Sequence, residues 1–552
     1  MNLRRDAAVI VVGAGPAGLM LANELGRREV ATLVLEAAPS TSTHPRANAT
    51  QARTMEYFRR LGIADRIRAQ GLPPDYPTDV AYFTRYTGHE LARFQLPSSA
   101  EARELARRLT GSWSAAELPH RCSQLFIERV MREAAEALPS VTLAFGWRVV
   151  AFREEKDGVT VEAERVEGGE RRRFSAAFLV GCDGPRSAIR RQLGFSYEGE
   201  GGAVRDFMGG RMHAIHVRAP QLYSMIRGGR AWMYWTVNPD RRALMAAIDG
   251  VQDFVFSAQL KPGEDATEIS EAKARAIFFE ALGAECAIEM LGRQSWTAGL
   301  TLVAERFGAG RVCLAGDAVH LFTPTGGLGY NTAVEDAVNL AWKLAALVQG
   351  WGGPGLLASY ERERRPVALR NTGYARRFAD SVGLYTAPAA IEADSPAGAA
   401  ARREAGAYLL AHAQAEFNIP GITFGTRYDG SPLVIPDGTA PPPDAANFYT
   451  PSATPGGRAP HAWLADGRSL YDSLGFDFAL LRLGPQPPDT ASFAEIARLA
   501  RIPLRVIEIA ADEVRDLYGA DLVLLRPDQI VAWRGKTLPA GPAALLAKLT
   551  GY

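Results

Sequence analysis

Ala7 to Val12 is an unbroken apolar run that meets glycines at once, Ala17 to Arg27 repeats its apolar residues at helical spacing, and Ala31 to Leu35 is apolar again. That reads as strand, tight turn, helix, strand. A βαβ unit of this kind implies a parallel sheet covered by helices. Thr54 to Gln70 and Leu125 to Leu138 carry further amphipathic periods. Between residues 75 and 120, and again between 200 and 300, short apolar runs alternate with aromatics and turns, which predicts a second, sheet-based domain interleaved with the first. Leu340 to Gln349 and Leu356 to Asp380 predict two long helices. The run Glu361 to Arg365 on the second is expected on a solvated face. Residues 386–449, dense in Ala, Pro and Gly with Pro441, Pro442 and Pro443 consecutive, are expected to form a connecting segment. Phe478 to Leu483, Leu504 to Ile509 and Leu522 to Leu525 are strand-like, with a helix near Phe493 to Ala500. They predict a small α/β domain at the end of the chain.

Composition narrows the function classes. A chain of 552 residues is long enough for two or three cores. The 62 Lys and Arg against 61 Asp and Glu leave no basic excess for nucleic acid. Cys122, Cys182, Cys286 and Cys313 are too scattered for a disulfide framework or a metal site, so no metal is expected and a reducing, cytoplasmic setting fits. The first apolar strand begins too early for a secretory leader, and no apolar run reaches the length of a membrane helix.

Three motifs carry chemistry. Gly13-Ala14-Gly15-Pro16-Ala17-Gly18 sits between a strand and a helix, where glycines permit a tight turn and close approach of a pyrophosphate to the helix N-terminus. Glu36 ends the next strand, placed to accept hydrogen bonds from ribose hydroxyls. Gly181-Cys182-Asp183-Gly184-Pro185-Arg186-Ser187 follows the strand Phe178 to Val180, and also reads as an ordinary turn with a helix cap. Arg311 to His320, with Gly316-Asp317 at its centre, leads into Pro324-Thr325-Gly326-Gly327-Leu328-Gly329-Tyr330-Asn331. A strand ending on an aspartate and a glycine loop opening a helix can set a carboxylate on a ribityl chain and loop amides on a flavin ring.

In this order, the three motifs resemble the flavoprotein aromatic hydroxylases of the p-hydroxybenzoate hydroxylase fold, over residues 7 to 380. The resemblance implies FAD, with Gly13, Gly15, Gly18 and Glu36 on its AMP half, Arg46 and Gln124 touching it, and Asp183 linked to both FAD and the nicotinamide. Asp317 would hold the ribityl chain. Gly329, Tyr330 and Asn331 would offer backbone groups to the flavin ring, and Pro324 would line the ring where substrate lies. Residues 450–552 resemble the thioredoxin-like C-terminal domain of phenol and polyketide hydroxylases. No cysteine follows Cys313, so that domain cannot exchange dithiols; a structural or oligomerising role is expected.

The expected architecture is therefore α/β. Residues 1–75, 120–200 and 300–385 form a Rossmann-like FAD-binding domain, 76–119 and 201–299 an interleaved substrate domain, and 450–552 the thioredoxin-like domain. The expected reaction is hydroxylation of a phenolic or polycyclic aromatic by NADPH or NADH and O2 through a flavin C4a-hydroperoxide, with a homodimer allowed. Pocket candidates are His213, His216, Tyr223, Arg227, Trp232, Tyr234, Trp235 and Trp296. Alternation along Trp232 to Val237 lets only one pair face the flavin, and Met233 with Trp235 is preferred. No paired arginines for a benzoate carboxylate stand out. The Trp-x-Trp-x-Ile-Pro pattern of flavin halogenases is absent. A Baeyer–Villiger monooxygenase on this scaffold and a non-enzymatic flavin redox sensor stay open.

Overall fold

The structure is a computed structural model that describes residues 5–202, 205, 207–264 and 269–552. At its centre is a six-stranded sheet in the order Gly308–Ala309, Val312–Leu314, Phe178–Gly181, Val9–Val12, Thr32–Glu36, Val141–Phe145. All its neighbours pair in parallel except the first two. Val9–Val12 and Phe178–Gly181 are buried at every residue, as strands covered on both faces must be. Helices Pro16–Gly26 and Leu328–Gln349 pack against each other. Strands Trp147–Glu154, Val159–Arg165 and Arg171–Ala176 add an antiparallel meander.

A seven-stranded sheet stands beside this core, ordered Glu289–Ala298, Gly210–Arg218, Asp253–Gln259, Ala243–Ala247, Met233–Thr236, Val80–Phe83, Glu90–Phe94. Its strands come from both interleaved stretches of sequence. Val80–Phe83 joins Met233–Thr236 in parallel, and every other pairing is antiparallel.

The last unit is a four-stranded sheet ordered Leu504–Ile509, Phe478–Leu483, Leu522–Leu525, Val531–Gly535, with the first two parallel and the rest antiparallel. Helices Ala491–Leu499, Asp512–Tyr518 and Pro542–Leu549 connect and follow the strands. One face, with Phe478, Leu480, Leu522 and Leu524, shares a core with Trp342, Trp351 and Leu356 of the central domain. A buried polar seam runs through the same junction. Glu363 receives Lys343 at 2.6 Å and Arg526 at 2.6 Å, and Glu56 receives Arg53 at 2.9 Å and Arg458 at 2.5 Å.

Three expectations change. The period from Thr54 to Gln70 breaks into helices Ala52–Leu61 and Ala64–Arg68, because Gly62 turns left-handed with φ 76° and ends the first. The segment 386–449 contains a long helix, Pro396–Phe417, capped by Ser395 and begun by proline. The segment is rich in alanine, the strongest helix former, and proline at the first helical position favours helix initiation. The run Glu361 to Arg365 is not a solvated face: Glu363 and Arg364 are buried, because helix Gly355–Gly383 packs on more than one side and both charges are paired. No described helix is long and apolar enough to cross a membrane.

Candidate functional site

The first glycine turn is dictated by close approach. Gly13 has φ 105°, and a Cβ there would lie 2.3 Å from the Cys182 carbonyl oxygen; one on Gly18 would lie 1.9 Å from the Gly13 oxygen. Gly15 differs, since nothing stands within 4 Å of its Cβ direction. Open space there, at the start of helix Pro16–Gly26, is what a pyrophosphate needs. Glu36 accepts the amides of Ala14 and Ala38, each at 2.7 Å, which fixes its carboxylate beside the turn. Gln124 opens helix Gln124–Glu136. Its amide nitrogen donates to Ala47, and its Nε2 to Glu128 at 2.6 Å. Burial raises the Glu128 carboxyl, with the Gln124 and Ser42 hydrogen bonds and the Arg46 charge opposing. Arg46 is exposed near this group and near Asp317.

The second motif does cap a helix, as its simpler reading held. Asp183 Oδ2 accepts the amides of Ala188 at 2.7 Å and Ile189 at 3.3 Å, and Ser187 caps Ala188–Gln192. Asp183 Oδ1 is buried and has no hydrogen-bond partner among the described residues. The motif is tied to the third: Arg190 donates to the Ala318 carbonyl at 3.1 Å and lies 3.8 Å from the Tyr197 ring, whose hydroxyl donates to the Asp317 carbonyl.

Asp317 stands exposed in the turn Gly316–Ala318, with protein crowding its remaining sides. That desolvation raises its carboxyl, and the His320 and Arg46 charges pull the other way. The turn is held from below. Asp336 accepts the Gly316 amide at 3.2 Å, His320 Nε2 lies 2.7 Å from it, and Arg364 donates at 2.8 Å. Burial works against the charge on Asp336, but His320 and Arg364 outweigh it and hold the carboxyl below its usual range.

Gly326 and Gly327 both adopt left-handed backbone, φ 64° and 65°, before helix Leu328–Gln349 begins. Gln51 Nε2 donates to Gly326 O at 2.8 Å, and Glu416 accepts the Gly326 amide at 2.8 Å. The Asn331 side chain bonds Ala49 and Gln51, so it shapes the loop while only its backbone is left for a ligand. Gly329 faces Phe322, Tyr330 is half-buried, and Pro324 is exposed at the loop's edge. The supports Gln51, Asp336, Arg364 and Glu416 carry no local sequence signal, since each is brought in by tertiary packing.

Register sorts the sheet residues by face. Met233 lies opposite Val80, Ala246 and, further along, Val255 and His216; Trp235 lies opposite Tyr82 and Leu244. This face meets the central domain, where His44 packs at Gly292 and His216, and Phe126 packs with Ala246 and Val255. His213 belongs to the other face, in the row of Thr236, Ala243 and Ala258, and its Nδ1 meets Ser295 Oγ at 3.0 Å. Strand parity therefore puts His213 on the face opposite Met233 and Trp235, and His216 on their face. Tyr234 also points away, onto Phe83 and Tyr86. Met233 and Trp235 are buried, and Trp235 packs against Tyr82 and Phe207 with centroids 5.9 and 5.5 Å apart.

A glycine turn open at Gly15 with Glu36 fixed beside it, and a strand-end turn with Asp317 facing out ahead of a glycine loop, suit a dinucleotide such as FAD and point to a flavin-dependent enzyme. Comparison with known proteins agrees. A family model described as FAD binding domain matches residues 6–374, and one described as aromatic-ring hydroxylase, C-terminal, matches residues 452–551. The chain belongs to the FAD-dependent aromatic-ring hydroxylase family. An FAD-dependent monooxygenase of Emericella nidulans is 32% identical, covering 99% of this chain and 90% of that protein. A putative polyketide hydroxylase of Streptomyces halstedii is 30% identical, covering 97% and 96%. Among solved structures, the rebeccamycin biosynthetic enzyme RebC with reduced flavin is 33% identical with a TM-score of 0.87, both chains fully covered. Aklavinone-11 hydroxylase with FAD and aklavinone is 28% identical, TM-score 0.82, covering 100% and 99%. The enzyme is a flavoprotein monooxygenase. Neither Baeyer–Villiger chemistry nor a sensor role gains support from these relatives.

Proposed function

We propose that this enzyme hydroxylates a phenolic or polycyclic aromatic held between the loop Pro324–Asn331 and the sheet face of Met233, Trp235 and Tyr82. The observation that carries this reading is the parity of that face, which turns one continuous apolar and aromatic surface toward the central domain. FAD supplies hydride acceptance from NADPH or NADH and activation of O2. Gly13, Gly15, Gly18 and Glu36 would hold its AMP half, with Arg46, Gln124 and Asp183 around it, Asp317 at the ribityl chain, and the backbone of Gly329, Tyr330 and Asn331 at the ring. Pro324 would border the substrate. The aromatic wall orients the ring and excludes water from it. Burial lowers both His44, to about 4, and His216, which lie side by side at Gly292 on the edge of this face.

The division into residues 1–75, 120–200 and 300–385, with 76–119 and 201–299 as substrate domain, is supported by the two large sheets. A thioredoxin-like character for residues 450–552 is supported by the order βαβαββα and its central parallel pair. Four unpaired cysteines suit a reducing, cytoplasmic setting. The test is nicotinamide oxidation by the FAD-loaded enzyme with aromatic candidates: acceleration with one oxygen gained on the ring supports the reading, and no acceleration with any of them opposes it.

A further inference from the structure

Arg121 is a buried cation that holds no anion among the described residues. It stands on the short strand His120–Arg121, opposite Ala49. Ala49 borders the glycine loop: its carbonyl accepts Asn331 Nδ2 at 2.9 Å, and a Cβ on Gly327 would come within 2.8 Å of its methyl. The Arg121 guanidinium lies 4.4 Å from the centre of the Trp232 ring, and Trp232 directly precedes the strand that carries Met233 and Trp235. Trp232 meets Phe417 edge-on at 6.1 Å, and the neighbouring Glu416 holds Gly326. Arg121 thus stands where the glycine loop, the aromatic sheet and helix Pro396–Phe417 converge.

Arg53, Arg364, Arg458 and Arg526 are as deeply buried, and each holds a carboxylate. Arg121 is 6% exposed, yet among the described residues its guanidinium has neither an ion pair nor a hydrogen bond. Desolvation alone pushes it down to about 10, with no neighbouring charge to restore it. Its nitrogens are not sealed away, in contrast to the adjoining Trp232 Nε1, which is closed off without a partner. A guanidinium taken out of water is costly unless a carboxylate or similar oxyanion completes it. The cost is understandable where a ligand brings that anion.

We propose that Arg121 is an anion subsite of the substrate pocket, pairing with an ionised carboxylate or phenolate oxygen on the aromatic substrate. This rests on the aromatic-hydroxylase reading above and specifies its substrate class. It also explains how a pocket without paired arginines can take an acidic substrate, since one buried guanidinium offers a two-pronged fork.

Calorimetric titration of the FAD-loaded enzyme tests it, with benzoate against benzamide and 4-nitrophenolate against 4-nitroanisole. The native enzyme is expected to bind at least one anion tenfold or more tightly than its neutral partner. The pair that shows the preference identifies carboxylate or phenolate. Arg121→Gln should keep its FAD and bring the ratio within twofold, with Arg121→Lys between the two. No anion preference in the native enzyme, including no binding at all, overturns the proposal. So does unchanged preference in either variant, or FAD loss with the preference intact, which would put the guanidinium on the flavin instead. If the preference follows Arg121 but no aromatic accelerates nicotinamide oxidation, the subsite stands and the hydroxylase reading falls.

Discussion

Glu416 accepts the backbone amide of Gly326 at 2.8 Å, linking a helix in the Ala- and Pro-rich part of the chain to the glycine loop that opens helix Leu328–Gln349. Its second carboxylate oxygen lies 2.8 Å from His412, one turn earlier on the same helix. The loop geometry therefore depends on a residue ninety positions away in sequence.

Glu416→Ala leaves the buried Gly326 amide unpaired, at a cost of about 1–3 kcal/mol. If most of that falls on the FAD-bound conformation, the FAD dissociation constant should rise about tenfold. Flavin fluorescence on dilution measures it; unchanged retention would show that the loop holds its shape without Glu416.

Asp317→Ala should weaken FAD retention while leaving the fold intact, because Asp317 is exposed and the turn beneath it is held by Asp336 and not by its own side chain. A fall in thermal stability of the FAD-free variant together with normal FAD affinity would contradict the ribityl role.

Trp235→Leu and His213→Gln should separate the two faces of the substrate sheet. The first should raise the fraction of nicotinamide consumed without product, since the wall against the substrate is opened. The second should leave that fraction near the native value, because His213 points to the far side. Equal effects would mean that the face assignment is wrong.

Removing residues 450–552 strips Arg458 from Glu56 and Arg526 from Glu363, and exposes Trp342 and Leu356. Breaking a buried pair costs about 3–5 kcal/mol, so the truncated chain should aggregate or fail to fold. Arg526→Met should show the same defect more mildly in chemical denaturation. A truncated chain that stays folded and yellow would demote the C-terminal unit to an appendage.

His461 is buried, donates to or accepts from Ser469 at 3.0 Å, and is pushed down to about 4, mainly by burial. In the unfolded chain it titrates near 6.5. As pH falls through the interval between those values the unfolded state takes up the proton first, so the native state loses stability there. Denaturant midpoints measured from pH 7 to pH 4 should decline, and His461→Gln should flatten the decline.

What could be read from sequence was what local backbone constraints determine. Gly13 and Gly18 must be glycine because a Cβ would strike backbone, and that necessity shows as a motif. Asp317 was legible because it ends a strand ahead of a glycine loop. Gln51, Asp336 and Glu416 were not, since their partners are set by packing between distant segments. His213 and Met233 each lie on a readable strand, but which residues share a face across the sheet depends on register, and it is Met233, Trp235 and His216, not His213, that lie on the side that meets the central domain. Helix Pro396–Phe417 was hidden by a composition shared with loops.

The most direct test of the account is to measure nicotinamide oxidation, O2 uptake and product mass together for the FAD-loaded enzyme across phenols and polycyclic aromatics. The account predicts that at least one compound accelerates oxidation and gains a single oxygen on its ring. Oxygen inserted beside a carbonyl, or oxidation indifferent to every aromatic, would contradict it.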